Sequence, residues 1–498
     1  MTSAQLVSDE NDFLLLHGTG ARPGAVWLDG PRARVDAVVT GGGKTWKARL
    51  PLAAARWGGA SLPLPSGEYL VRWRPAASSA GDGAGTSETD GEVLISDAVP
   101  LTILGGLRAT LDGTNGLLTI GPPVDPAYDS GAGQAALERR YTAGTAPLEN
   151  AVFFESFYGR SASFNPRAID TELARVAPGV TRYWSVVDLS VPVPEGAVPV
   201  IEGSPQWWRA RGAARLLVVN DWLRRAFARR PGQRVLQTWH GTPLKRLALH
   251  RPGFDPRRML AVIRESRRWD VLLAPNPYSE RIMRKAYAFL TRPVWVEGYP
   301  RNDVLTTGDG AAVRARLGIA DDERVLLYAP TWRDDRDLMV DFFDPAELAR
   351  RTGAVVLVRG HSRTLQAGRD AEGTRVIDVT GYPDVSHLLL AADALITDYS
   401  SVMFDFAVTG KPMYFFAPDL EHYRGELRGF YFDLEAHAPG PVVDAFDDLV
   451  AAIEDPRTPE EYAERYDAWR RKFSAREDGH AAERVVARLL DQGFVERG

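Results

Sequence analysis

Up to about residue 125 the apolar positions come in short runs, at Phe13–Leu16, Ala25–Leu28, Val35–Thr40, Tyr69–Trp73, Val93–Ile95 and Leu117–Ile120, divided by Gly, Pro and Asn-Gly turn signals. That spacing predicts a small β-sandwich. From about residue 150 the pattern changes to continuous apolar runs alternating with longer helical stretches. A strand buried on both faces reads this way, so the pattern predicts βα units around parallel sheets. Two such blocks follow each other, and the stretch 458–492 reads as charged helix with an apolar stripe. The predicted organisation is a β-rich accessory domain at 1–125, a linker at 126–149, a first lobe at 150–304 and a second lobe with C-terminal helices at 305–498. The Ala76–Gly91 insert, rich in Gly, Ser and Ala, is expected as a mobile loop, and Gly121–Gly133, with its prolines, as the start of the linker. Gly41-Gly42-Gly43-Lys44-Thr45 resembles the tail of a P-loop, but Val38 stands where the first glycine belongs, so a turn is expected.

In open parallel sheets ligands bind beyond the carboxyl ends of the strands. The residues that follow each predicted strand are therefore the candidates for chemistry. Val235-Leu236-Gln237 leads into Thr238-Trp239-His240-Gly241-Thr242-Pro243-Leu244-Lys245, Val325–Tyr328 into Ala329-Pro330-Thr331-Trp332-Arg333, Val355–Val358 into Arg359-Gly360-His361, and Ala394–Ile396 into a turn holding Asp398, Ser400 and Ser401. That last turn opens an apparent helix, where unpaired backbone N–H groups and two hydroxyls suit a phosphate, although an ordinary Asp/Ser cap is an equal reading. His240, between a strand end and Gly241 and Pro243, is placed for a general base. His361 beside Arg359 and Arg363, and Thr331 with Arg333, suit anion or ribose contacts. His250, His387 and His437 are read as structural.

Composition narrows the class. The chain has 498 residues, 45% of them hydrophobic and 25% charged, with a formal charge of only −5. Several domains are expected, and no global field points to nucleic acid. There is no cysteine, which excludes disulfides, thiol nucleophiles and thiolate-bound metals. No apolar run approaches the ~18 residues of a membrane span, and no basic region followed by an apolar stretch opens the chain, so the cytoplasm is the expected compartment. Asp334-Asp335-Arg336-Asp337 reads as a solvated turn, and neither a cofactor nor a protein-bound metal is expected.

The segments Gln237–Lys245, Gly298–Asp303, Tyr328–Asp334, Thr397–Phe406, Asp419–Tyr423 and Arg428–Asp433 together resemble the CDP-glycerol glycerophosphotransferases of teichoic acid and capsule synthesis. The resemblance covers about residues 150–490 and begins with Phe154–Gly159 and Asn165–Ile169. It implies an α/β, GT-B-like pair of doubly wound Rossmann-type lobes behind the N-terminal β-sandwich-like domain. It also implies a CDP-glycerol donor in the second lobe, a catalytic His240 in the first, and a polyol-phosphate or lipid-linked glycan acceptor. Family phosphate and nucleotide contacts carry over to His361, Asp398, Ser400, Ser401 and Glu421, and Gly241, Thr242, Thr331, Arg333 and Arg359 complete the expected substrate-binding set. The family's Lys-x-His-Pro is here Arg359-Gly360-His361-Ser362, a different local cation and turn.

Such an acceptor implies work at an anionic membrane surface, peripherally at the inner face. Trp207, Trp208 and Trp222 lie among the arginines of 207–234, and Arg251, Arg257, Arg258, Arg264, Arg267 and Arg268 follow. These could meet headgroups, or the tryptophans could be core. Three other functions share part of the pattern: a CDP-ribitol phosphotransferase, a GT-B glycosyltransferase using a nucleotide sugar, and a non-catalytic glycan-binding protein.

Overall fold

A computed structural model describes residues 2–8, 12–42, 44–76, 91–92, 98–145, 147–331, 342–360, 375–420 and 429–497. The chain divides into two compact units, one of residues 1–144, 185–193 and 199–210, the other of 145–184, 194–198 and 211–498.

In the first unit two antiparallel sheets enclose one core, contributed by Leu14, Leu16, Trp46, Ala48 and Leu50 from one sheet and Val26, Leu28, Tyr69, Val71, Ala109, Leu111, Leu118 and Ile120 from the other. The period-2 alternation is plain in Thr45–Pro51, where Trp46, Ala48 and Leu50 are buried while Lys47 and Arg49 face out. Gly42 pairs with Thr45 across the hairpin that holds the glycine run, as expected of a turn. The expected insert and the Val93–Ile95 strand fall almost wholly outside the described residues. The expected linker is different in the structure, which folds it into the helices Pro126–Asp129 and Gly131–Ala143. Asp125 and Ser130 cap them by accepting from the amides of Ala127 and Gly133, with Pro126 in the first turn of the former.

The second unit carries two parallel sheets. In one the strands Thr181–Val186, Glu149–Glu155, Ala214–Val219, Arg234–Gln237, Val271–Ala274 and Val294–Val296 pair in that order. In the other the order is Val376–Asp378, Val355–Val358, Val325–Tyr328, Ala394–Thr397, Met413–Phe416 and Val442–Val443. Val325–Tyr328, Val355–Val358, Ala394–Thr397 and Met413–Phe416 are buried at every position, the reason their sequences are unbroken apolar runs. In each sheet the order reverses once, beside Glu149–Glu155 and beside Val325–Tyr328. Such switch points open a crevice at the strand ends.

The C-terminal helix Ala481–Asp491 returns to the first lobe, where Asp303 accepts from the amides of Ala481 and Ala482. Just before it, Glu477 accepts from the amide of Tyr299 at 3.1 Å. Burial pushes its carboxyl up to about 8, with Asp405 and Asp303 acting in the same direction against that amide and Arg301. The folded state then holds a proton that the unfolded chain releases near its ordinary 4.5. This contribution to stability is full below that value and is lost as pH rises through about 8. Glu477→Gln, which cannot ionise, is expected to remove this loss, so its melting temperature relative to wild type should rise between pH 6 and 9. A constant difference across that range would show that Glu477 is as fully ionised in the folded state as in the unfolded chain, and that burial does not raise its carboxyl.

Candidate functional site

The strand Ala214–Val219 ends in Asn220, and the neighbouring strand Glu149–Glu155 ends in Ser156. Asn220 bridges this switch point, its Oδ1 accepting from the Phe157 amide at 2.9 Å and its Nδ2 donating to Ser156 Oγ at 3.0 Å. The same residue's carbonyl lies 2.9 Å from His240 Nδ1. A carbonyl can only accept, so Nδ1 carries the proton and Nε2 is left with a lone pair. The imidazole stacks on Trp239, with ring centroids 4.4 Å apart, and tilts against Phe157 at 5.9 Å. Burial pushes its pKa below the ordinary histidine value and Arg301 adds to that, while Asp221 and the Asn220 carbonyl oppose it. Burial raises the Asp221 carboxyl. The partly buried imidazole is therefore neutral at neutral pH, the form that can accept a proton. Phe157, Tyr158, Phe164 and Trp239, all around it, have φ between 45° and 63°. Left-handed backbone at non-glycine residues costs on the order of 1–3 kcal/mol each and persists where surrounding structure over-determines it.

At the switch point of the second sheet Asp398 is buried, and it accepts from Thr331 twice, from the backbone N–H at 3.0 Å and from Oγ1 at 2.7 Å. Its carboxylate thus fixes the loop that follows Val325–Tyr328 and is not simply offered to a ligand. Arg359, expected at an anion, donates instead to the carbonyls of Val379 and Tyr382 at 3.1 and 3.0 Å. Ser400 and Ser401 do head a helix, but Val402–Phe406 is short and passes into the 3₁₀ turn Ala407–Thr409, so a macrodipole is a minor part of its electrostatics. Thr242 is buried. His361, Arg333, Glu421 and the Asp334–Asp337 turn lie outside the described residues.

The two switch points meet at Gly241. A Cβ there would stand 2.8 Å from Ser401 Oγ and 3.1 Å from Ser401 Cβ, so the His240 loop approaches the hydroxyl turn as only glycine allows. Lys245 reaches the same place, its Nζ 3.4 Å from Thr331 Oγ1 and 5.8 Å from the centre of the Tyr399 ring. The segment 429–431 clamps this loop: Arg246 N–H donates to the Gly429 carbonyl, Tyr431 N–H to the Leu244 carbonyl, and Tyr431 Oη lies 2.7 Å from His250 Nδ1. His250 thus has the structural part expected of it, as does His437, whose Nδ1 bonds the Asp433 carbonyl. Lys245 stood in the expected cluster after Val235–Gln237 without a role of its own, and Asn220 and Asp221 were not expected at all, although they follow the apolar Leu216–Val219 run by the strand-end rule that found the rest. The 207–234 tract is not a headgroup surface as a whole, since Trp207, Trp208 and Arg211 are buried.

Two Rossmann-like lobes, with a histidine at one strand edge and hydroxyls at the other, make a GT-B-like arrangement. The wall teichoic acid polymerase TagF has a solved structure that superposes with a TM-score of 0.67 at 32% identity, covering 73% of this chain and 94% of that one. The CDP-glycerol:poly(glycerophosphate) glycerophosphotransferase family model matches residues 143–491, and the chain belongs to that family. It is 36% identical over 381 residues to the teichoic acid glycerol-phosphate transferase of Staphylococcus aureus (strain NCTC 8325 / PS 47), covering 69% of this chain and 94% of that protein. It is 39% identical over 366 residues to the teichoic acid poly(glycerol phosphate) polymerase of Bacillus subtilis (strain 168), covering 67% of this chain. The match spans about half the length of that polymerase, 48%.

Proposed function

We propose that the chain transfers glycerol phosphate from CDP-glycerol to the hydroxyl of a glycerol-phosphate or glycan-linked acceptor, with release of CMP, in the synthesis of a teichoic-acid-like or capsular polymer. The observation that carries this reading is a neutral His240, held by the Asn220 carbonyl with Nε2 open, against the Ser400–Ser401 turn. His240 Nε2 takes the proton of the acceptor hydroxyl as its oxygen attacks the β-phosphorus in line. The bond from that phosphorus to the bridging oxygen breaks, and CMP leaves with the electron pair. Charge on the transferring and leaving phosphates is met by the hydroxyls of Ser400 and Ser401, by Lys245 and by His361, a preorganised set of the kind that supplies most of phosphoryl-transfer catalysis. Support for the donor comes from TagF, a variant of which has been soaked with CDPG. The test is CMP release from CDP-glycerol with a glycerol-phosphate-terminated acceptor. Turnover of CDP-ribitol alone, UDP release from a nucleotide sugar, or no release at all would each replace this reading by one of its three rivals.

Peripheral membrane docking has its own support. Phe254 and Leu260 are 84% and 68% exposed, on and just before the helix Pro256–Ser266, with Arg251, Arg257, Arg264 and Arg267 exposed around them. Each arginine near an anionic surface contributes about 1 kcal/mol, and each buried large apolar side chain about 1.5–3 kcal/mol. Vesicles containing anionic lipid should retain the protein at low salt, and Phe254→Ser/Leu260→Ser should weaken retention at least 10-fold. Equal retention of wild type and variant would remove this face from the reading.

A further inference from the structure

Between the base-bearing loop and the hydroxyl turn runs a buried chain of polar contacts. Asn165 Nδ2 donates to the carbonyls of Thr238 and Trp239, both at 3.3 Å, and so grips the two residues before His240. Asn165 Oδ1 accepts from the Arg301 amide at 3.3 Å. Arg301 Nη2 donates to both oxygens of Asp405, at 2.9 and 2.8 Å, and Asn302 Nδ2 adds a bond to Asp405 Oδ1 at 3.0 Å. Asp405 lies in the helix that Ser400 and Ser401 head. The side chains of Arg301 and Asp405 are only 2% and 8% exposed, and the guanidinium lies 4.8 Å from the Phe164 ring centre and 4.4 Å from that of Tyr299. Ser386 Oγ holds the Arg301 carbonyl from the second lobe.

A buried ion pair is a weak source of net stability, because desolvation offsets the attraction; fixing one arrangement among several is its better-attested use. Here the pair joins the two halves of the site. We infer that Asn165, Arg301 and Asp405 form a latch that sets His240 against Ser401, so that Arg301 is a positioning residue for the transfer. This rests on His240 acting as the base. Arg301 touches no reacting atom in this scheme. A shift of about 1 Å in a reacting pair costs up to about 10²-fold in rate, so a loosened latch lowers kcat far more than it changes donor binding.

The test compares Arg301→Lys, Asp405→Asn, Asn165→Ala and the Arg301→Lys/Asp405→Asn double variant by steady-state CMP release and by melting temperature. Each single variant should lose about 10- to 100-fold in kcat with less than threefold change in KM for CDP-glycerol. The double variant should be no worse than its worse parent, since both act through one link. Asn165→Ala leaves the ion pair intact and keeps the test open if the pair is needed for folding. Arg301→Met adds a second readout. His240 faces Asp221 and Arg301, and Arg301 in turn faces Asp405, Glu477 and Tyr299. Removing the guanidinium charge makes the imidazole easier to protonate, so the acid limb of kcat/KM should move to higher pH, whereas Arg301→Lys should leave it in place. Losses that multiply in the double variant, that appear in KM alone, or that follow the melting temperature would overturn the latch. An inactive wild type would instead overturn the reaction assigned to the site.

Discussion

Replacing His240 with alanine should lower the rate of CMP release by about 10²–10⁴-fold, the range that general-base help supplies. The KM for CDP-glycerol should change little, because in the proposed reaction the imidazole meets the acceptor and not the nucleotide. Wild-type kcat/KM should be flat through neutral pH and fall only on an acid limb below the ordinary histidine value of 6.5. The sign follows from the site: burial and Arg301 disfavour the imidazolium, and only the neutral ring can accept a proton. In His240→Ala that limb should vanish along with the rate. A variant that keeps half the wild-type rate, or an unchanged acid limb, would move the base to another residue; Asp221, with its raised carboxyl, would be the first to examine. Loss of the ring also removes its stacking on Trp239, so the melting temperature must be measured beside the rate.

The parallel sheets were legible because their strands are buried on both faces: Val325–Tyr328 and Val355–Val358 contain no polar interruption to confuse with another element. Thr45–Pro51 escaped notice for the opposite reason, its outward Lys47 and Arg49 breaking every run of apolar residues. The helices at 126–143 were hidden by their glycines and by Pro126, which mark a linker by composition and a capped helix start by position. In the site, the clusters after 235–237, 325–328, 355–358 and 394–396 were legible, whereas Asn220 and Asp221 after Ala214–Val219 and the partners within each cluster were not. Asp398 was assigned to the ligand, whereas its nearest donors are Thr331 N–H and Oγ1, and that pairing exists only because the strand 325–328 lies beside 394–397. Asn165 and Arg301 sit 73 and 61 positions from Thr238 and His240 along the chain and carry no local signal of the contact. Sheet order makes them neighbours. Strand-end position therefore nominates candidates for a substrate site, while sheet order decides which of them are already committed to one another.

That distinction is sharpest at Gly241. Gly241→Ala should lower kcat by about 10- to 100-fold, with the fold intact, because near-attack geometry fails over displacements of about 1 Å. The added Cβ would meet Ser401 Oγ at 2.8 Å and Ser401 Cβ at 3.1 Å. Rotation of the hydroxyl can relieve the first contact but not the second. Ser401 is not free to retreat, since its carbonyl accepts from the Phe404 amide at 3.2 Å and Asp405, in the same helix, is held by Arg301. The yielding partner is then the loop that carries His240, which moves the imidazole away from the hydroxyl turn. Ser401→Gly removes both obstructing atoms and supplies the control. If crowding is the whole effect, Gly241→Ala/Ser401→Gly should be as active as Ser401→Gly alone, whatever rate the loss of that hydroxyl leaves. Ser401→Ala, which retains the Cβ, should relieve the crowding only in part. Losses that multiply in the double variant would mean that Gly241 serves the acceptor directly, giving it room beside His240, and the close approach of the two lobes would then be a consequence of that need.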